Sequence, residues 1–82
     1  MTRRMVRAAE ADKLAGVSKT TRCRRIAAGL WTPPVKLGAR ASAWPDDELD
    51  TLNKALIAGK TEDEIRALVA ELVAARSKNE AA

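Results

Sequence analysis

Glycine and proline divide this 82-residue chain into short segments, and their spacing limits the folds that are open to it. Gly16, Gly29 and Gly59 each follow a stretch of helix-forming residues and can close a helix there. Pro33 and Pro34 forbid helix after the second stretch. The chain is also too short for a two-domain enzyme. The sequence therefore predicts one small, mainly α domain, or one such domain plus a helix, built from short elements.

Four helical stretches are predicted, at 6–14, 19–28, 45–58 and 62–76. Ser18 is placed to cap the second helix, and Thr61 with Glu64 forms a capping box for the fourth. In the third, Pro45 suits the first helical turn, and the apolar stripe consists of Leu49, Leu52, Leu56 and Ile57. The tail, 77–82, is expected to fray.

A short β-hairpin is predicted between the second and third helices. Val35, Leu37 and Ala43 alternate with Lys36, Ser42 and Trp44, and Gly38 is expected to supply a positive φ at the turn. Trp31 and Trp44 flank this segment in a chain without Phe or Tyr. They are interpreted as the bulk that packs the hairpin on the helices, the alternative being an aromatic platform for single-stranded bases.

Composition excludes several kinds of chemistry. Without histidine there is no His-based acid or base and no His metal site, and a single Cys23 excludes disulfides and zinc sites. We expect no enzymatic activity, no cofactor and no metal. The longest uncharged apolar run is too short for a membrane span, and the basic start lacks the apolar stretch of a secretory signal. A cytoplasmic, reducing location is expected.

Charge is distributed unequally along the chain. Residues 1–45 carry ten Lys or Arg against Glu10 and Asp12, a net charge of +8, whereas residues 46–82 carry a net charge of −4. A strongly basic half, with a pI of about 9.7, favours a polyanion as partner. The alternative is a basic surface that binds nothing.

The second helix concentrates this basic charge. Its predicted inward face comprises Cys23, Ile26, Ala27 and Leu30. Its predicted DNA-binding residues, with the cap and first turn included, are Ser18, Lys19, Thr20, Thr21, Arg22, Arg24 and Arg25. Cations, hydroxyls and the amides of a helix N-terminus bind phosphates and read base edges in a major groove. The short 15–18 link, with Val17 filling the corner, predicts a helix-turn-helix; the alternative for the second helix is a solvated basic face.

Further basic residues flank this helix pair. Lys36 and Arg40 lie on or near the predicted hairpin tip, where a wing touches the sugar-phosphate backbone. Arg3, Arg4 and Arg7 are candidates for an arm that reaches DNA, the alternative being a disordered start.

The last helix carries its own apolar stripe, which must be covered. We divide the chain into a DNA-binding domain, 1–60, and a C-terminal helix with its tail, 61–82. The helix either folds back to extend the core or pairs with another copy. The candidate oligomerisation residues are Ile65, Leu68, Val69, Leu72 and Val73. An acidic end of one copy meeting the basic part of the next would allow self-association along DNA.

Residues 10–56 resemble the AlpA family of phage and mobile-element regulators, a MerR-like winged-helix group that also includes small excisionases. The resemblance lies in the residues 16–21 (GVSKTT), Arg24, Ile26, Gly29, 31–34 (WTPP), 35–38 (VKLG), Arg40, Trp44 and an acidic helix start. It implies a DNA-binding protein with the second helix in the major groove and the hairpin as wing. Cys23, Arg25 and the pair Trp31 and Thr32 depart from the family pattern, so the bases read do not carry over.

Together these observations predict a winged helix-turn-helix with an extra C-terminal amphipathic helix. The expected function is non-catalytic binding, and bending, of double-stranded DNA in a phage or integrative mobile element. The protein would act as a transcriptional regulator, as a recombination directionality factor (excisionase) for a separate integrase, or as both. It would be associated with the nucleoid when bound. The alternative is a protein-interaction module that docks through the C-terminal helix.

Overall fold

The computed structural model describes residues 4–39 and 41–81, with side chains described as far as residue 76. These residues form four helices and a small antiparallel sheet. In chain order the elements are β1 (Met5–Arg7), α1 (Ala8–Ala15), α2 (Lys19–Ala27), β2 (Val35–Lys36), β3 (Ser42–Pro45), α3 (Asp46–Ile57) and α4 (Glu62–Ala81). The mainly helical fold with a hairpin is therefore as predicted, with one strand added at the start.

The added strand, β1, makes β3 the central strand of a three-stranded sheet in the order β1-β3-β2. Val6 of β1 lies opposite Trp44 of β3, and Val35 of β2 lies opposite Ala43 of β3. The prediction that a helix starts at Val6 is wrong. The β-branched Val6 is buried between a half-buried Met5 and an exposed Arg7, which is the alternation of a strand.

Two details of the predicted hairpin also differ. Gly38 does not have a positive φ, unlike Gly16, Gly29 and Gly59. The Leu37 amide donates a 2.8 Å hydrogen bond to the Ala41 carbonyl, so the connection between the two strands is longer than a turn centred on Gly38. Ala43 and Trp44 are both buried although they point to opposite faces, because β3 is covered on both sides.

The two tryptophans form the centre of the core. Trp31 and Trp44 are buried, with ring centroids 6.1 Å apart in an edge-to-face arrangement, and the Trp44 indole donates a 2.8 Å hydrogen bond to the Thr32 carbonyl. Their interpretation as packing residues is confirmed. The alternative of an exposed platform for bases is wrong, since both rings are covered. Apolar residues from β1, α1, α3 and α4 surround them: Val6, Ala11, Leu49, Leu52, Ala55, Ile65 and Val69.

Helix α3 buries only the first half of its predicted stripe. Leu49 and Leu52 are in the core, whereas Leu56 is exposed and Ile57 is 86% exposed. Pro45 ends β3 and immediately precedes α3, instead of lying in its first turn. The side chain of Asn53 donates a 3.1 Å hydrogen bond to the Leu14 carbonyl and so joins α3 to the end of α1.

Helix α4 folds back on this core. Its capping box is present as predicted, with the Thr61 amide donating to Glu64 Oε1 at 3.0 Å and the Glu64 amide donating to Thr61 Oγ1 at 3.2 Å. The helix continues to Ala81, beyond the predicted end at Arg76 and through most of the tail expected to fray. Ile65 and Val69 are buried in the same core as the rest of the chain.

An ion pair fixes the far part of α4. The Arg76 guanidinium binds both carboxylate oxygens of Glu48, at 2.7 and 2.6 Å, and also donates to the Pro33 carbonyl at 2.9 Å. The Glu48 side chain is fully buried. A buried carboxylate is tolerated when a guanidinium binds it through two hydrogen bonds. Arg76 thereby joins α4 to the start of α3 and to the segment before β2.

Candidate nucleic-acid interface

The turn between α1 and α2 is short and is held by local hydrogen bonds. Gly16 closes α1 in the left-handed conformation, at φ 70°, and the Val17 amide donates a 3.0 Å hydrogen bond to the Asp12 carbonyl. Val17 packs against the core, as predicted. Ser18 caps α2 by accepting a 3.2 Å hydrogen bond from the Thr21 amide. These contacts hold α2 at a fixed angle to α1.

Arg22 turns inward, contrary to the prediction from the sequence. Its side chain is 8% exposed and forms a 2.9 Å ion pair with Asp12 of α1. The guanidinium also donates to the Ala8 carbonyl and lies 5.2 Å from the centre of the Trp44 ring. The structure therefore does not present Arg22 to solvent, which the predicted contact with DNA requires. Arg22 is satisfied by a carboxylate, a carbonyl and an aromatic face, all within the fold.

The inward turn of Arg22 rotates α2 relative to the prediction. Cys23 and Ala27, both assigned to the inward face, are exposed, while Ile26 and Leu30 pack against the core as predicted. The outward face comprises Thr20, Cys23, Arg24 and Ala27, with Lys19 exposed in the first turn. A buried arginine on a helix of low mean hydropathy gives no apolar signal, so periodicity assigned the wrong neighbours to the core.

Arg24 is exposed, and none of the described residues forms an ion pair with it. Its guanidinium is therefore available to an external anion or base. Ser18 and Thr21 are partly engaged within the fold, because the Ser18 hydroxyl donates to Thr21 Oγ1 at 3.1 Å while it caps the helix. Of the seven residues predicted for the recognition helix, Lys19, Thr20 and Arg24 are the exposed ones that lie on α2.

Arg25 lies toward a different surface. It lines a groove of about 210 Å³ between the end of α1, α2 with the segment that follows it, α3 and the start of α4. Leu30, Trp31, Leu49 and Leu52 are also among the residues that line this groove. Arg25 is half-buried there, so the outward face of α2 does not include it.

The predicted wing and arm are only partly within the described residues. Lys36 is exposed on β2, while Arg40 lies outside the described residues, as does Arg3. Arg4 and Arg7 belong to an ordered segment, not to a free arm. The Arg4 carbonyl accepts a 2.8 Å hydrogen bond from the Asp46 amide, its guanidinium pairs with Glu10 at 2.7 Å, and Arg7 is an exposed residue of β1.

The chain's own core covers most of the apolar stripe on α4 that was proposed for oligomerisation. Ile65 and Val69 are buried, and Leu68, Leu72 and Val73 are half-buried against the same core. Of the two alternatives for this helix, the structure has the one in which it folds back. Arg66 also donates a 2.9 Å hydrogen bond to the Ala28 carbonyl, which joins α4 to the end of α2.

Two residues that shape this surface were not predicted from the sequence. Asp12 was counted only as a charge, yet it holds Arg22 and thereby sets the rotation of α2. Cys23 was assigned to the core, yet it lies in the middle of the outward face. The signal that was available is a carboxylate on the first helix and an arginine on the second, close in sequence across a short turn. Opposite charges so placed can meet between the two helices.

Comparison of the chain with family models, curated proteins and solved structures finds no match. Among the residues that the structure describes, no group of His, Cys, Asp or Glu side chains is arranged to hold a metal ion. No helix within the described ranges is both long enough and apolar enough to cross a membrane.

Proposed function

We propose that this protein binds double-stranded DNA as a winged helix-turn-helix, with α2 in the major groove and the β2–β3 hairpin as wing. The observation that carries the proposal is the outward face of α2. It presents Lys19, Thr20 and Arg24 to solvent, and Arg24 has no ion-pair partner among the described residues. A cation held on a rigid helix without an internal partner suits a phosphate or a base edge.

The placement of α2 supports the same function. The Gly16 turn, the Ser18 cap and the Asp12–Arg22 pair fix this helix on α1, and α1 also packs on β3. A helix used to read DNA must be held rigidly relative to the phosphate contacts around it. Lys36 on β2 supplies one such contact on the proposed wing, and the unequal distribution of charge supplies long-range attraction to a polyanion.

Two biological roles share this machinery. A regulator of a mobile element and a recombination directionality factor that bends an attachment site both need the same helix, wing and backbone contacts. A promoter reporter tests the first role, and a bending assay on attachment-site DNA tests the second. The alternative of a docking module based on α4 has little support, because Ile65 and Val69 are already covered by the chain's own core.

A salt titration of duplex binding tests the proposal. If about five phosphates are contacted, log affinity falls against log salt concentration with a slope of about −4 to −5. The measurement is fluorescence anisotropy of a labelled duplex between about 50 and 200 mM salt. Undetectable binding at the low-salt end, or affinity that does not change with salt, would contradict the proposal.

A further inference from the structure

We infer that Cys23, Ala27 and Arg24 form the base-reading surface of α2, and that the preferred duplex places a thymine beside a guanine within this surface. The inference rests on the proposed function and adds its substrate specificity. It departs from the prediction from the sequence, which assigned Cys23 to the inward face of the helix.

The geometry of the surface follows from helical spacing. Thr20 lies three residues from Cys23 and four from Arg24, and Ala27 lies four residues from Cys23 and three from Arg24. Residues at these spacings are neighbours on one helix face, and all four side chains are exposed. The face lies away from Arg22, whose contacts with Asp12 and Trp44 fix the rotation of the helix.

The chemistry of the surface has two parts. Arg24 is a planar donor without an ion pair among the described residues, and a guanidinium binds O6 and N7 of guanine through two hydrogen bonds. Cys23 and Ala27 are small side chains of apolar character beside it, and a thiol behaves as a small apolar group. Small apolar side chains in the major groove contact the methyl group of thymine. A guanine and a neighbouring thymine therefore match the two halves of the face.

Polar side chains at these positions would read DNA differently. A hydroxyl in place of the Cys23 thiol adds a strong donor and acceptor next to the methyl group and removes the apolar contact. Arg24→Lys keeps the charge but replaces the planar guanidinium, which fixes the geometry of two hydrogen bonds to guanine, with an ammonium on a flexible stem. These two substitutions lie on the exposed surface, so neither disturbs the core that holds α2.

The test begins with selection of the preferred duplex from a random library by the wild-type protein. In the selected duplex, each thymine is replaced in turn by deoxyuridine, which lacks only the methyl group. Each guanine is replaced by its 7-deaza analogue, which lacks the N7 acceptor. Affinities are measured for wild type, Cys23→Ser, Arg24→Lys and the control Lys54→Ala. A double-mutant cycle then gives the coupling between each side chain and each DNA group.

The expected result is specific coupling. Removal of one thymine methyl group is expected to lower the duplex affinity of the wild type and of Lys54→Ala. It is expected to lower the affinity of Cys23→Ser much less. Removal of one guanine N7 is expected to lower the duplex affinity of the wild type by about fivefold or more, and that of Arg24→Lys much less. Equal sensitivity of wild type and both variants to every analogue would overturn the inference while leaving duplex binding intact. Failure of the wild type to enrich or bind any duplex would instead refute the proposed function.

Discussion

Arg22 of α2 is paired with Asp12 of α1, with Nη1 of the guanidinium 2.9 Å from Oδ1 of the carboxylate. The pair lies at the junction of the two helices, and the same guanidinium lies over the Trp44 ring of the sheet. One arginine therefore connects α2, α1 and β3. Arg24, two residues further along the chain, points outward and makes no ion pair with a described residue. Two arginines of one basic run thus have different surroundings.

Arg22→Ala is expected to destabilise the fold by about 3 kcal/mol, because it leaves Asp12 without its buried partner and removes a cation–π contact. Arg24→Ala is expected to change the free energy of unfolding by less than about 0.5 kcal/mol, since the side chain is exposed. Urea unfolding of both variants measures the difference. Equal stability of the two would show that Arg22 is not a structural residue.

Arg76→Ala is expected to be among the most destabilising substitutions on α4. It removes the two hydrogen bonds to the fully buried Glu48 carboxylate and the one to the Pro33 carbonyl, at a cost of about 3 to 5 kcal/mol. Lys54→Ala is the matched control, because its ion pair with Asp50 is exposed and contributes about 0 to 1 kcal/mol. Melting temperatures of both variants close to that of the wild type would show that Arg76 does not hold α4 in this way.

Cys23 is expected to react readily with a maleimide in the free protein, because the thiol is exposed and is the sole cysteine of the chain. Bound duplex DNA is expected to slow this reaction strongly, since it would cover the outward face of α2. Mass spectrometry of the labelled fraction against time gives both rates. A labelling rate that saturating duplex leaves unchanged would place Cys23 outside the interface.

Glu64 is expected to titrate below its ordinary pKa of 4.5, because its carboxylate accepts a hydrogen bond from the Thr61 amide in the capping box. A pKa that is lower in the folded than in the unfolded chain means that the box stabilises the fold above the unfolded-state pKa. That stabilisation is lost as the pH falls through the folded-state value. Carboxyl-carbon NMR against pH measures the pKa. A value at or above the ordinary one would show that the box does not form in solution.

The fold was predictable wherever local signals agree. Gly16, Ser18 and the Thr61–Glu64 box each end or begin a helix through contacts with residues close in sequence, and each occurs as expected. The strand β1 was not predictable in this way. Its pairing partner Trp44 lies far along the chain, so the strand depends on tertiary contacts that local propensity does not report.

The candidate site was predictable in composition but not in orientation. A basic second helix was evident from Lys19, Arg22, Arg24 and Arg25, but four cations on one short helix leave its rotation undetermined. Periodicity assumes that the inward face is apolar, and Arg22 violates that assumption. The apolar stripe of α4, by contrast, was read correctly, although the sequence left open whether it covers its own core or another copy.

The most direct test of the account compares two double variants that lose the same charge. Lys19→Ala with Arg24→Ala removes two cations from α2, and Lys54→Ala with Lys60→Ala removes two from the acidic half of the chain. Anisotropy titration of one labelled duplex at fixed salt gives the affinity of each. We predict that the α2 double variant loses affinity by about tenfold or more, with a salt slope reduced by about one for each lost phosphate contact, while the control stays close to wild type. Equal affinity of the two double variants would contradict DNA binding through α2.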